Sequence, residues 1–246
     1  MGNNDILPLV LLVARPAAGK SEIIEYLANK IEDSVRSKEY HIGQINVIDD
    51  FPFLWRWFEE DDLLESMGKE RLFTDRDGYF KDEIYWDLLI QLINLEYAKS
   101  LKDSDIESGY TTIIEFSRGK QHGGYRRAFS LLSDAILKNL AIMYVDVPWE
   151  ESLRKNRKRF NPQHPESILE HSLPDEKMEF LYRECDFSEI AHGNQGLITI
   201  NKHEVPFVVF YNYDDVTTKM NEELGKRLRF SLAQLWKLKS QSLTQK

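Results

Sequence analysis

"LPLVLLVARPAAGKSEIIEYLANKI", residues 7–31, reads as strand, loop and helix in immediate succession. Leu7 to Val13 is an almost unbroken apolar run, the pattern of a strand buried on both faces. Ile23, Ile24, Leu27 and Ile31 then fall on one helical stripe. Between them "ARPAAGKS" fits GxxxxGK[ST], with Ala14 where the pattern has its first glycine. In such a joint, backbone N–H groups from Ala17, Ala18 and Gly19 through Glu22 converge on phosphate, and the helix N-terminus adds its partial positive charge. Lys20 reaches the outer phosphates and the Ser21 hydroxyl holds Mg²⁺. Alanine at position 14 is tolerable provided its φ stays negative.

Further along, four more strand candidates end in polar residues. "GQINVIDDF" ends in Asp49-Asp50, "YTTIIEFSRG" in Glu115 with Arg118 nearby, "NLAIMYVDVPW" in Asp146, and "EVPFVVFYN" in Asn212. Amphipathic patterns separate them. Ile84, Leu88, Leu92 and Leu95 mark one helix, "YRRAFSLLSDAILKNL" reads as another, and Leu224, Leu228, Leu232 and Leu235 stripe a last one over Val216–Leu238. That final stripe suits a core or a dimer. Alternation of strand and helix predicts an α/β fold with a mostly parallel sheet covered on both faces. In such sheets the site lies at the C-terminal strand ends, where all of these polar residues fall. The whole chain, 1–246, reads as one domain with two long insertions: an aromatic helical segment at 51–108 and a segment at 150–193 that is basic first and acidic later.

Composition narrows the function classes. The chain has 246 residues, 42% of them apolar, and a formal net charge of −9, which disfavours nonspecific grip on nucleic acid. Its one cysteine, Cys185, excludes an intramolecular disulfide and a cysteine metal cluster, so a reducing, cytoplasmic setting is expected. The run at Leu7–Val13 is too short to span a bilayer. Ile6 stands where a myristoylation signal has Ser or Thr. The histidines show no metal-ligand spacing.

Phosphoryl transfer requires a positioned phosphate, Mg²⁺, an oriented acceptor and neutralised charge. Beyond Lys20 and Ser21, the carboxylates for this chemistry are Asp49, Asp50 and Glu115. Asp49 is the favoured base, and Asp50 alternatively caps the helix after it. Ser21, Asp49 and Glu115 form the candidate Mg²⁺ set. Arg154, Arg157 and Arg159 lie in a segment that can close over a nucleotide as a lid; Arg154 and Arg157 share a helical face, and Arg159 lies well round the helix from Arg157. Asn212 can read an adenine edge.

With "ARPAAGKSE", "VIDDF" and "VDVPWEESLRKNRKR" in view, the chain resembles the P-loop kinases of nucleosides, nucleotides and other small molecules, including uridine-kinase-like and zeta-toxin- or polynucleotide-kinase-like members. The resemblance implies a sheet order of 2-3-1-4-5, ATP and Mg²⁺ as cofactors, the strand-end Asp of "DDF" as the base that activates an acceptor hydroxyl, and a helical acceptor-binding insertion after the second strand. "HEVPFVVFYN" departs from that sheet: a polar turn precedes it, and Gly196–Ile200 can pair with it as a hairpin. The function expected is transfer of a γ-phosphoryl group to a small-molecule hydroxyl or phosphate. A regulatory nucleotide-binding ATPase and a polynucleotide kinase are the alternatives.

Overall fold

A computed structural model describes residues 5–102, 109–159 and 172–244. In chain order the strands are β1 (Leu9–Ala14), β2 (Gln44–Asp49), β3 (Tyr110–Phe116), β4 (Leu140–Asp146), β5 (Gln195–Ile200) and β6 (His203–Tyr211). The helices are α1 (Lys20–Asn29), α2 (Asp33–Tyr40), α3 (Phe51–Ser66), α4 (Ile84–Lys102), α5 (Gly124–Ser130), α6 (Asp134–Asn139), α7 (Trp149–Arg159), α8 (Asp175–Tyr182), α9 (Phe187–Ile190), α10 (Val216–Lys219) and α11 (Glu222–Thr244).

The sheet is six-stranded among the described residues, in the order β2-β3-β1-β4-β6-β5. β1, "LVLLVA", is buried along its whole length and pairs in parallel with β3 and β4. β2 and β6 continue the parallel set, and only β5 runs antiparallel, against β6. The expected five-strand order thus differs by an added edge strand. It follows from the polar turn at Asn201-Lys202, both at positive φ, as a two-residue hairpin requires.

Each sheet face carries its own core. On one, Ile23, Leu27 and Tyr40 of α1 and α2 meet Leu224, Leu228, Leu232 and Leu235 of α11. The last stripe therefore fills the core. On the other face, Ile93 and Tyr97 of α4 pack with Phe129, Ile136 and Phe187. This corrects the stripe expected for α4. Ile84, Leu88 and Leu95 are exposed, and the buried face is Trp86, Leu89, Ile90, Ile93 and Tyr97. Both series have helical spacing, and the one carrying the large aromatics faces inward, where ring burial gains most.

Two helices expected as continuous are broken. Ser133 accepts from the Ile136 N–H and starts α6 afresh, and Met220 at φ 44 separates α10 from α11. A third cluster joins the first insertion to the second: Trp57, Trp86 and Leu89 pack on Met178, Leu181 and Tyr182. Residues 103–108 of the first insertion and 160–171 of the second, with His164 and His171, lie outside the described residues.

Candidate functional site

The loop after β1 is shaped by what holds its carbonyls. Ala14 ends β1 in extended backbone, so its methyl is accommodated, and the left-handed φ of 58° falls instead at Ala17. The Ala14 carbonyl accepts from Tyr125 Oη at 2.8 Å, that of Pro16 from Ser152 Oγ at 2.6 Å, and that of Ala18 from Asn212 Nδ2 at 2.9 Å. The Gly19 carbonyl takes the Ile23 N–H. Three acceptors of the loop are thereby satisfied by side chains reaching in from outside it. The N–H groups of Lys20, Ser21 and Glu22, in the first helical turn, have no intrahelical carbonyl to reach. What the loop offers is donors, the arrangement that suits an anion.

Gly19, at φ 108, has a different constraint from the one its motif suggests. A Cβ there would collide with the Thr217 side chain, so glycine lets the loop press against α10. Asn212 requires correction as a base-reading residue. It is fully buried; its Nδ2 donates to the Ala18 carbonyl and Thr217 Oγ1, and its Oδ1 accepts the Thr217 N–H. No edge of the amide is left for a nucleobase, and its work is to fix the loop.

At the strand ends, Asp49 and Glu115 are directly paired in register. Burial, then the charges of Glu115 and Asp50, push the Asp49 carboxyl up to about 7. Burial likewise raises Glu115, against the opposing pull of Lys20. The Lys20 ammonium donates to Ser117 Oγ at 2.9 Å; burial lowers its pKa, and the charges of Glu115 and Asp49 oppose that shift. One Asp49 oxygen accepts the Phe51 N–H at 3.0 Å. Asp50 is committed elsewhere. Its carboxylate meets Arg118 at 2.6 Å with both side chains buried, and the guanidinium lies between the Trp86 and Phe116 rings. The partner of Arg118 is therefore Asp50. Asp50 stands at the cap position of α3 but makes no side-chain cap hydrogen bond.

Burial raises both carboxyls, and for Asp49 the charges of Glu115 and Asp50 add to it, so a divalent cation beside the pair would offset that cost, with the exposed Ser21 lining the same cleft as Asp49. No cluster of three or more His, Cys, Asp or Glu side chains suited to a metal occurs among the described residues. Two carboxylates and a hydroxyl leave the remaining positions to water and phosphate oxygens, as Mg²⁺ prefers.

Ala17, Ala18, Lys20, Ser21, Asp49 and Asp50 open into one cleft of about 1180 Å³. Its far end is walled by Trp55, Phe58, Tyr79, Phe80, Trp86 and His122, under a rim of Glu59, Asp62, Asp77, Asp82 and Glu83 with Arg76 and Lys177. The loop over this end is organised by buried Asp61. It accepts from the N–H groups of Leu72, Phe73 and Thr74 and from Thr74 Oγ1. Burial works to raise its pKa, and those donors outweigh it to leave the pKa lowered.

The arginines also require correction. Arg154 pairs with Glu151 and Asp215, and Arg157 with Asp175, all on the outer side. Arg159 lines the cleft and acts on Lys20 and Glu115. The Glu22 side chain pairs with Lys155 at 3.4 Å, while its N–H stays among the donors of the first helical turn. Residues missed from sequence are Ser117, which follows the expected Glu115, and His122 and Lys177, which carried no motif signal.

Compared with known proteins, the chain matches no protein-family model and no curated protein. Among solved structures it is similar to APE1195, at 14% identity over 93% of this chain and 97% of that one, TM-score 0.38. It is also similar to TT1252 from Thermus thermophilus, at 12% identity over 94% and 98%, TM-score 0.36. No helix among the described residues is long and apolar enough to cross a membrane.

Proposed function

We propose that this protein is a phosphotransferase of the P-loop kinase kind, which takes the γ-phosphoryl group of ATP to a hydroxyl of a small molecule. One observation carries the reading. A loop whose carbonyls are bound from outside and whose donors remain free opens into the same cleft as a carboxyl, Asp49, that titrates near neutral pH.

The roles follow from position. Loop N–H groups and Lys20 hold the β- and γ-phosphates. Ser21, Asp49 and Glu115 would hold Mg²⁺ directly or through water, and the cation supplies charge neutralisation on the phosphate oxygens when bound. The free oxygen of Asp49 receives the proton of the acceptor hydroxyl as the acceptor's oxygen bonds to the γ-phosphorus and the bond from that phosphorus to the β,γ-bridging oxygen breaks. Lys20 and Arg159 offset the charge that gathers on the departing diphosphate. A carboxyl near pKa 7 suits the base because its protonation state is poised at working pH. Asp50, tied to Arg118, is a positioning residue.

The test is a screen of a mixed metabolite pool with γ-labelled ATP, run beside Lys20→Ala. The expected result is label in one acceptor, lost in the variant. Label released only as inorganic phosphate supports the regulatory ATPase instead. ATP affinity unchanged in Lys20→Ala removes the phosphate reading altogether.

A further inference from the structure

Resting on the phosphotransferase reading, we propose that the aromatic end of the cleft is the acceptor subsite, and that its occupant is a planar alcohol without negative charge, met by His122 as a hydrogen-bond acceptor. This excludes phosphorylated and carboxylated acceptors, which the loop chemistry alone leaves open.

The first argument is charge. Five carboxylates stand on the rim of that end; Glu59 and Asp62 are paired with Arg56 and Arg71, which leaves Asp77, Asp82 and Glu83 against the cations Arg76 and Lys177. Arg76 is neutralised by Glu65 at 2.7 Å, and the Lys177 ammonium sits over the Tyr79 ring at 4.9 Å, so three carboxylates face one uncompensated cation. Arg118, deeper in, is neutralised by Asp50. An anionic ring compound entering here meets a field of its own sign, while a neutral or cationic one finds aromatic faces and attraction.

His122 supplies the second. It is nine-tenths buried and stacked on Trp86, with ring centroids 4.0 Å apart and planes 19° from parallel. It bonds to the Leu181 backbone, and Nε2 is buried with no partner, so the Leu181 carbonyl takes the Nδ1–H. Gly119 makes that approach feasible, since a Cβ there would collide with the same carbonyl. Burial, then the charge of Arg118, pushes His122 down to about 4, so Nε2 remains a bare lone pair at neutral pH. A buried acceptor without a donor is unfavourable unless something brings one. A hydroxyl or ring N–H of the bound molecule does so. Nε2 is closed to solvent in the free protein, so a donor reaches it only as the rings lining the cleft move aside. A phosphate or carboxylate oxygen, having no proton, is repelled there.

The test needs no turnover. A set of small planar alcohols, each neutral or amine-bearing and each matched with its carboxylate or phosphate analogue, is titrated against the full chain. The His122 Nε2 resonance is followed by ¹⁵N NMR. The expected result is that uncharged or cationic members move that resonance and bind at least about tenfold tighter than their anionic partners. His122→Phe, which keeps the stacking on Trp86, should weaken their binding about tenfold while MgATP affinity holds. Asp77→Lys/Glu83→Lys, on the exposed rim, should shift preference toward the anions. Equal or tighter binding of the anions, or no movement of the Nε2 resonance by any member, overturns the proposal. MgATP titrated separately reports on the phosphotransferase reading, so that reading can fail while the subsite stands, and the reverse.

Discussion

Two adjacent carboxylates, Asp49 and Asp50, show how one residue step separates chemistry from architecture. Asp50 is buried with Arg118 and satisfied by it; Asp49 keeps one oxygen free among like charges. The two should respond oppositely to neutralisation. A carboxyl raised to about 7 in the folded chain, from an ordinary value near 4, favours folding while protonated. That contribution is full below pH 4 and lost as pH rises through 7. Asp49→Asn should therefore stabilise the protein, by up to about 4 kcal/mol above pH 7 and by little near pH 4, while ending transfer. Denaturant midpoints at the two pH values, together with label transfer, check this. Asp50→Asn should instead destabilise by about 3 kcal/mol, because it strands a buried guanidinium. A loss of stability in the Asp49 variant at pH 8 would contradict the electrostatic account. For the unmodified protein the rate should rise with pH along a limb near 7, and MgATP should lower that limb by adding positive charge beside Asp49.

At the scale of elements, α7 and the insertion between α3 and α4 decide what surrounds the reacting groups. Only the last arginine of α7 lines the cleft. Arg159→Ala should lower kcat at least about tenfold, whereas Arg154→Ala/Arg157→Ala should change it less than about threefold; steady-state kinetics on the identified acceptor separate the two. The insertion hangs on Asp61, whose carboxylate gathers the backbone of residues 72–74. Asp61→Ala should cost about 3 kcal/mol locally and expose 66–84 to limited proteolysis before the sheet unfolds. Elements also show where sequence is legible. β1, its loop and α1 could be read directly because apolar run, small residues and helical stripe occur in order. The face of α4 could not, because two helical series coexist there and only the partner elements choose between them. Arg154 and Arg157 misled for the same reason: periodicity groups side chains but does not say which group faces inward.

The whole molecule brings every strand-end residue singled out from sequence to one edge of the sheet, and this much followed from alternation alone. The sixth strand followed from its turn. What could not be read was which polar groups are spent on holding the fold: Asn212 and Asp50 look like ligands in sequence and prove to be fastenings in space. Asn212 belongs to the set that fixes the loop, with Tyr125 from α5 and Ser152 from α7. Those partners lie 111, 136 and 194 residues from the carbonyls they bind. A nascent or partly folded chain therefore carries the full motif without its shape, since the donors are sorted from the acceptors only after both halves of the sheet have closed. On the phosphotransferase reading, affinity for phosphate should emerge late, with completion of the fold, and incomplete chains should not sequester nucleotide on the way to the native state.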